Sequence, residues 1–324
     1  MGRSILWCVG CAALLAACGK GAGPASATQA SQYIPGFDPP PAPAGYTRYV
    51  TPVVEIGPGQ DQIWCQYVAG PAAADQLVLD VRGEQSTFGH HIAVYATSMT
   101  APVGTSRPCT NDDMLSVRFL GAIGGEGTAD IFEKLPSGVA FELHQGESLM
   151  FNTHFIDTSS QAAQGEGVID IEYADPSPRY QAAGFFTNVD TQFELQPNDS
   201  SPQSADRSCP VQQDLDFFLV AEHMHGLGVS AYTEVIHPDG TKAQLISDPT
   251  WTADEQFNPV MESFPESSMF QLHSGDTLHT HCEWINSGPS VVSFPEEMCV
   301  MLGFFLPGGG PEIDCVDGQW PAGK

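Results

Sequence analysis

Residues 216–230 read D-F-F-L-V-A-E-H-M-H-G-L-G-V-S. An apolar, aromatic and β-branched run leads into His223 and His225, two apart, with Gly226 and Gly228 directly after them. In an extended strand residues i and i+2 project from the same face, so this spacing holds two imidazoles as a pair of nitrogen ligands. An isolated H-x-H is equally a strand edge with two exposed histidines, and the rest of the chain decides between the two. V-V-E-I, Q-L-V-L-D-V, H-I-A-V-Y-A, V-I-D-I-E-Y and C-V-M-L-G-F-F-L repeat the same short run, separated by Gly, Pro, Asn and Ser clusters. That pattern predicts strands and turns, and no stretch keeps a helical apolar period over three turns. The expected fold is all-β, made of β-sandwiches. P-S-P-R at 176–179 is the expected seam, giving halves at 46–178 and 179–316 and a tail at 317–324.

The 324 residues suffice for two domains of ordinary size. The first eighteen read as an export signal: Arg3, an apolar run over 5–15, and L-A-A-C ending at Cys18. This ending resembles a bacterial lipobox, which implies cleavage before Cys18 and lipid attachment to it; an ordinary signal peptide cut nearby is the alternative. Either way export is expected, with a lipid anchor at the bacterial cell envelope in place of a spanning helix. Residues 19–45 are rich in Ala, Gly, Pro and Ser and are expected to be a tether. Eleven basic against thirty-nine acidic residues give a net charge of −28, which argues against nucleic acid as a partner. Cys8, Cys11 and Cys18 belong to the signal, leaving six cysteines in an exported chain. Export and an even count favour disulfides over thiolate metal sites, without fixing the pairing.

Further histidines extend the ligand pattern. F-G-H-H-I-A-V-Y supplies His90 and His91, and M-F-N-T-H-F supplies His154. Adjacent strand residues point to opposite faces, so His90 and His91 share a metal only if the strand bulges. Gly89 permits such a bulge. Met298 follows in F-P-E-E-M-C and, taken alone, reads as a core residue. Imidazoles suit copper and zinc, while a thioether is soft and favours Cu(I). A zinc hydrolase would more typically use nitrogen and oxygen ligands with a carboxylate base.

The order G-H-H, T-H, H-x-H-x-x-G and E-M-C resembles the copper type II, ascorbate-dependent monooxygenases, the family of the peptidylglycine α-hydroxylating and dopamine β-monooxygenases. The likeness extends to I-W-C at 63–65, K-L-P-S-G-V-A-F at 134–141 and G-D-T-L-H-T-H-C at 275–282, and covers about residues 50–316. It implies two antiparallel, jelly-roll-like β-sandwich domains facing across a cleft, with one copper on each. His90, His91 and His154 match the copper that stores and delivers an electron. His223, His225 and Met298 match the copper where dioxygen binds and a C–H bond is hydroxylated. The expected activity is therefore hydroxylation of a small organic substrate, with ascorbate or another one-electron donor. The alternatives are a non-catalytic copper-storage lipoprotein and an enzyme with one working site.

The resemblance also implies the disulfides Cys65–Cys109, Cys209–Cys315 and Cys282–Cys299. The peptide-amidating branch of the family anchors a substrate carboxylate with an arginine, an asparagine and a tyrosine, where this chain has Ala221, Val300 and Leu302. A peptide ending in glycine is therefore not expected as substrate. Glu222 is expected to turn away from the metal by strand alternation. His279 and His281 form a second H-x-H that has no ligand role in the family and reads as strand. His144, His237 and His273 have no argued partner, and Trp64, Trp251 and Trp284 read as core. The chain is expected to be monomeric.

Overall fold

The computed structural model describes residues 33–69, 74–99, 101–110, 113, 117–128, 135–256, 259–308 and 312–321. Cys18, the export signal and the first part of the expected tether lie outside the described residues. The protein is all-β: helical structure among the described residues is limited to short pieces such as the 3-10 turns Ala253–Gln256 and Glu266–Ser268. No described helix is long and apolar enough to cross a membrane.

Four principal sheets carry the fold. In the first half, one sheet runs in the order Tyr46–Val50, Gly167–Ala174, Gln76–Gln85, Val139–Leu143, Gln181–Ala182. Its companion runs Ser106–Pro108, Asp61–Val68, Ser148–Ile156, Gly89–Thr97, Val117–Gly124. In the second half, the first sheet is Met261–Ser263, Leu215–His223, Cys299–Leu306, Gly184–Asp190, Ile313–Val316. The other is Gln203–Pro210, Thr277–Trp284, Gly228–Ile236, Lys242–Asp248. Pairing is antiparallel, apart from the short parallel contacts of Gln181–Ala182 with Val139–Leu143 and of Gly184–Asp190 with Ile313–Val316.

Local sequence explains which strands lie inside. Thr277–Trp284 alternates strictly, burying Leu278, Thr280, Cys282 and Trp284 and turning Thr277, His279, His281 and Glu283 outward. That is a sheet with one solvated face. Cys299–Leu306 is buried at nearly every position and sits between Leu215–His223 and Gly184–Asp190, as its unbroken apolar run demands.

The two halves share one core. Phe119 and Phe141 from the first meet Phe185, Phe218, Leu219 and Phe304 from the second in a single buried cluster. Phe119 stacks on Phe185 at 4.5 Å, and Phe304 lies 5.6 Å from Phe119 and 5.7 Å from Phe141. Tyr33–Lys324 accordingly forms one compact unit. The seam at 176–179 falls between Gly167–Ala174 and Gln181–Ala182, and the latter still adds to the first-half sheet.

One expectation needs correction. The tether does not reach residue 45. Phe37 is buried, the Ile34 amide donates to Glu166 Oε2 at 2.8 Å, and Arg48 holds both Asp170 and the Pro40 carbonyl. Tyr33, Ile34 and Phe37 give this Pro-rich segment apolar surface to bury, so it packs. In the tail, Trp320 lies against Phe186 at 5.7 Å, and Asp317 accepts from Thr191 N and Oγ1. The three disulfides are those the resemblance implied: Cys65–Cys109, Cys209–Cys315 and Cys282–Cys299. Trp251 and Trp284 are core, and half-buried Trp64 packs on Val54, Ile56 and Phe155.

Glu222 is 1% exposed, and apart from an approach by Thr233 too poorly aligned for a well-formed hydrogen bond, its carboxylate has no partner. Burial, reinforced by nearby Asp248 and only partly offset by Thr233, pushes its carboxyl up to about 8. The folded state therefore keeps a proton that the unfolded chain releases above its ordinary 4.5. The sign follows: this residue lowers stability progressively as pH rises from 4.5 through about 8. Glu222→Gln removes that dependence. Chemical denaturation should show the variant gaining on the wild type by on the order of 3 kcal/mol between pH 5 and pH 8. Parallel stability curves across that window would contradict this.

Candidate metal centres

His90 and His91 lie on Gly89–Thr97 and His154 on the neighbouring Ser148–Ile156. His154 pairs with His91, while Phe155 pairs with Gly89, so His90 is the extra residue of a β-bulge. The bulge breaks the alternation that would otherwise send His90 and His91 to opposite faces. Their Nδ1 atoms stand 2.7 Å apart. Glycines make room for it. A Cβ on Gly89 would meet Gln85 Cβ at 2.3 Å, and one on Gly125 would meet the Gly89 carbonyl oxygen at 2.2 Å. Phe88 takes a left-handed φ of 71° at the entry, and its carbonyl accepts from Ile156 N at 2.9 Å.

His154 completes the cluster. One ligating atom from each of the three histidines lies within 4.8 Å of the others. His154 Nε2 is 2.5 Å from Asp61 Oδ1, which leaves Nδ1 buried and without a hydrogen bond. A buried nitrogen left so is costly unless something occupies it. A carboxylate behind a ligating imidazole is also the usual way to fix its tautomer. Burial first, and the neighbouring histidines second, hold His90 and His91 far below the ordinary imidazole range. They are neutral, the form that binds a metal.

The second set is built on the H-M-H stretch. His223 ends its strand opposite Val300, Met224 points inward among Trp251, Trp284, Cys282 and Cys299, and His225 follows. Both histidines are half-buried on one side, their rings 5.2 Å apart and nearly perpendicular. Gly228 is required here, since a Cβ would strike Trp251 at 2.6 Å; Gly226 has open space. His225 Nδ1 donates to the Glu296 carbonyl at 3.0 Å, so Nε2 is the ring nitrogen left over for a ligand. Burial, then His225 and His154, bring His223 down to about 3.

Glu297 ties this loop to the Met298 segment. Its buried carboxylate accepts from His225 N at 3.0 Å, Leu227 N at 2.6 Å and Trp284 Nε1 at 3.1 Å. Met298 is thereby bracketed: Glu296 and Glu297 lie against His225, Cys299 is bridged to Cys282, and Val300 lies opposite His223. Met298 itself is half-buried, unlike the fully enclosed Met224 and Met301. The two histidine sets are within electrostatic reach of each other: His223 and His225 contribute to depressing His90 and His91, and His225 to depressing Asp61.

Sequence reasoning missed Asp61 and Glu297. Each had a local signal, Asp61 as the acidic start of D-Q-I-W-C and Glu297 as the acid directly before Met298 in E-E-M-C. The remaining histidines lie elsewhere. His237 pairs with Asp276 at 2.9 Å, His144 with Glu142 at 4.0 Å and His273 with Asp214 at 3.8 Å. His279 and His281 sit on the outer face of the second half's other sheet.

No family model matches the chain, and no curated protein matches it. Among solved structures it is similar to the major capsid protein P2 from bacteriophage PM2, at 10% identity and a TM-score of 0.33, over 80% of this chain and 97% of that one. It is also similar to PBCV-1 VP54 fitted into a reconstruction of the virophage Sputnik, at 7% identity and a TM-score of 0.29, over 86% of this chain and 97% of that one. Likenesses this distant carry no argument about activity.

Removing the Glu297 carboxylate strands three donors in a dry site. Glu297→Ala should cost about 3 kcal/mol or more and weaken metal binding at His225, whereas Glu297→Gln, which keeps one acceptor, should cost less. Denaturant titration and metal affinity of both variants check this; equal losses in the two would contradict it.

Proposed function

We propose that this chain is an exported copper-dependent monooxygenase, hydroxylating a C–H bond of a small organic substrate with dioxygen and a one-electron donor such as ascorbate. The observation that carries the reading is the pair of ligand sets. One is all-imidazole, with His90 and His154 buried and His91 partly so; the other combines two imidazoles with a thioether segment and is half-open. A nitrogen-only set and a nitrogen–sulfur set suit copper in both redox states, and the thioether favours Cu(I). Copper bound at these sites supplies one-electron chemistry with dioxygen.

The residues divide the work. His90, His91 and His154 would hold one ion at a largely buried position, and Asp61 fixes the His154 ring with its Nδ1 turned inward. His223, His225 and Met298 hold the other where substrate reaches it. The Glu296 carbonyl sets the His225 tautomer, and Glu297 fixes the loop. The two sets are within electrostatic reach of each other, and copper held at both would supply the two electrons the reaction needs.

The face that carries His223 continues as an apolar floor. Ala221 pairs with Leu302 and His223 with Val300, so Ala221, Leu302 and Val300 share that face. None offers a donor to a carboxylate, and burying one unpaired beside them would cost several kcal/mol. The substrate is accordingly uncharged and largely apolar where it meets the metal. The net charge of −28 and the L-A-A-C ending at Cys18 support a monomeric lipoprotein of the cell envelope, without nucleic acid as a partner and meeting the membrane through its lipid alone.

Oxygen consumption with copper and ascorbate tests the proposal, together with a metabolite screen for products that gain one oxygen atom. Met298→Ala should lower donor-dependent turnover at least about tenfold, with a smaller stability loss than the ~2–5 kcal/mol of a packed core methionine. A peptidylglycine should yield neither glyoxylate nor amidated product. Copper uptake without any donor-dependent oxygen consumption would return the chain to copper storage.

A further inference from the structure

The outer face of the sheet formed by Gln203–Pro210, Thr277–Trp284, Gly228–Ile236 and Lys242–Asp248 carries a second group of ligating side chains. His279 and His281, two apart on a strictly alternating strand, point to the same solvated side. Asp206 pairs with His281 across the neighbouring strand, and Ser208 pairs with His279. One oxygen, Asp206 Oδ1, lies 2.8 Å from His281 Nδ1 and 3.2 Å from His279 Nε2. His279 Nδ1 is 3.2 Å from Ser208 Oγ, and Glu283 Oε1 is 3.6 Å from His281 Nε2. Tyr232 stacks on the His281 ring at 4.9 Å.

We infer that His279, His281 and Asp206 form a third, surface site for a divalent transition ion of the zinc or copper(II) class, separate from the two centres above. The donor set is two imidazoles and a carboxylate, which suits those ions. Ligand bonds of roughly 2.0–2.1 Å place neighbouring ligand atoms about 3 Å apart, the separation of each nitrogen from the Asp206 oxygen. Both rings are about four-fifths buried along their edges yet open on the solvent side, with side-chain exposures of 20% and 18%. The two nitrogens each approach the oxygen but do not yet form a closed set, so the imidazoles have to turn toward each other to take up one ion.

Local charge favours the ion. Arg207, next to Asp206, turns to the opposite face and pairs with Asp190 and Asp317. Lys242 on the same sheet is taken by Glu234 at 2.5 Å. Asp206 and Glu283 are left facing the imidazoles, and a dication among them satisfies both carboxylates. Because the nitrogens have to close on the ion, this site is weaker than the preassembled three-histidine cluster.

Zinc is the probe. The metal-free full chain is titrated with Zn²⁺ by equilibrium dialysis, beside a His279→Gln, His281→Gln double variant and an Asp206→Asn variant. The double variant should bind one equivalent fewer at saturation. Asp206→Asn, at a position 54% exposed, should hold that equivalent roughly tenfold more weakly. The same difference of one equivalent should persist in a His154→Ala background, which makes the result independent of the copper reading. Equal zinc counts in the wild type and the double variant overturn the site, and so does unchanged zinc affinity in Asp206→Asn.

Discussion

Neighbouring residues of a strand point to opposite faces, and the bulge at His90 is what frees this protein from that rule. Without it, His90 or His91 would enter the sandwich core and no three-nitrogen cluster would exist. The bulge rests on small residues: Gly89 and Gly125 leave no room for a Cβ, and Phe88 holds the left-handed entry. His154 then meets His91 across the ladder at the point where the register shifts. A single inserted residue thus brings three imidazoles of an ordinary antiparallel pair together, where they could hold a metal.

The second constraint is the aromatic core between the halves. Phe119, Phe141, Phe185 and Phe304 bury large faces against one another and lock two sandwiches into one unit. Buried aromatic pairs of this kind add about 0.5–1.5 kcal/mol beyond area burial. More important for function, the core fixes where the half-open histidines stand relative to the closed ones. The sheet that contributes Phe185, Leu219 and Phe304 to the core also ends in His223 and Val300, so one rigid surface links the interface to the site.

Much of this was legible in the chain. Period-two runs announced strands, and the outward His279 and His281 follow from the same alternation. Gly89 before two histidines pointed to the bulge, and Glu222 faces away from its histidine neighbours as alternation requires. What local sequence did not convey were contacts made at long range. Proline-rich residues 33–45 read as a tether because their value lies in Phe37 and Ile34 meeting a surface formed elsewhere. The tail hid the packing of Trp320 on Phe186 for the same reason. Asp61 and Glu297 resemble any of thirty-nine acids until the fold brings His154 to one and three donors to the other. The buried, unpaired state of Glu222 likewise depends on a second sheet that alternation along one strand cannot reveal.

The central claim is that two separate ligand sets each hold one copper, and counting the metal tests it most directly. The full mature chain is loaded with copper under reducing conditions, freed of weakly held ions by a mild chelator, and assayed for copper and protein. The account predicts two coppers per chain, falling to one in His154→Ala and to one in His223→Ala. Two coppers retained in His154→Ala would contradict the three-histidine assignment, and a single copper in the unaltered protein would contradict the account as a whole.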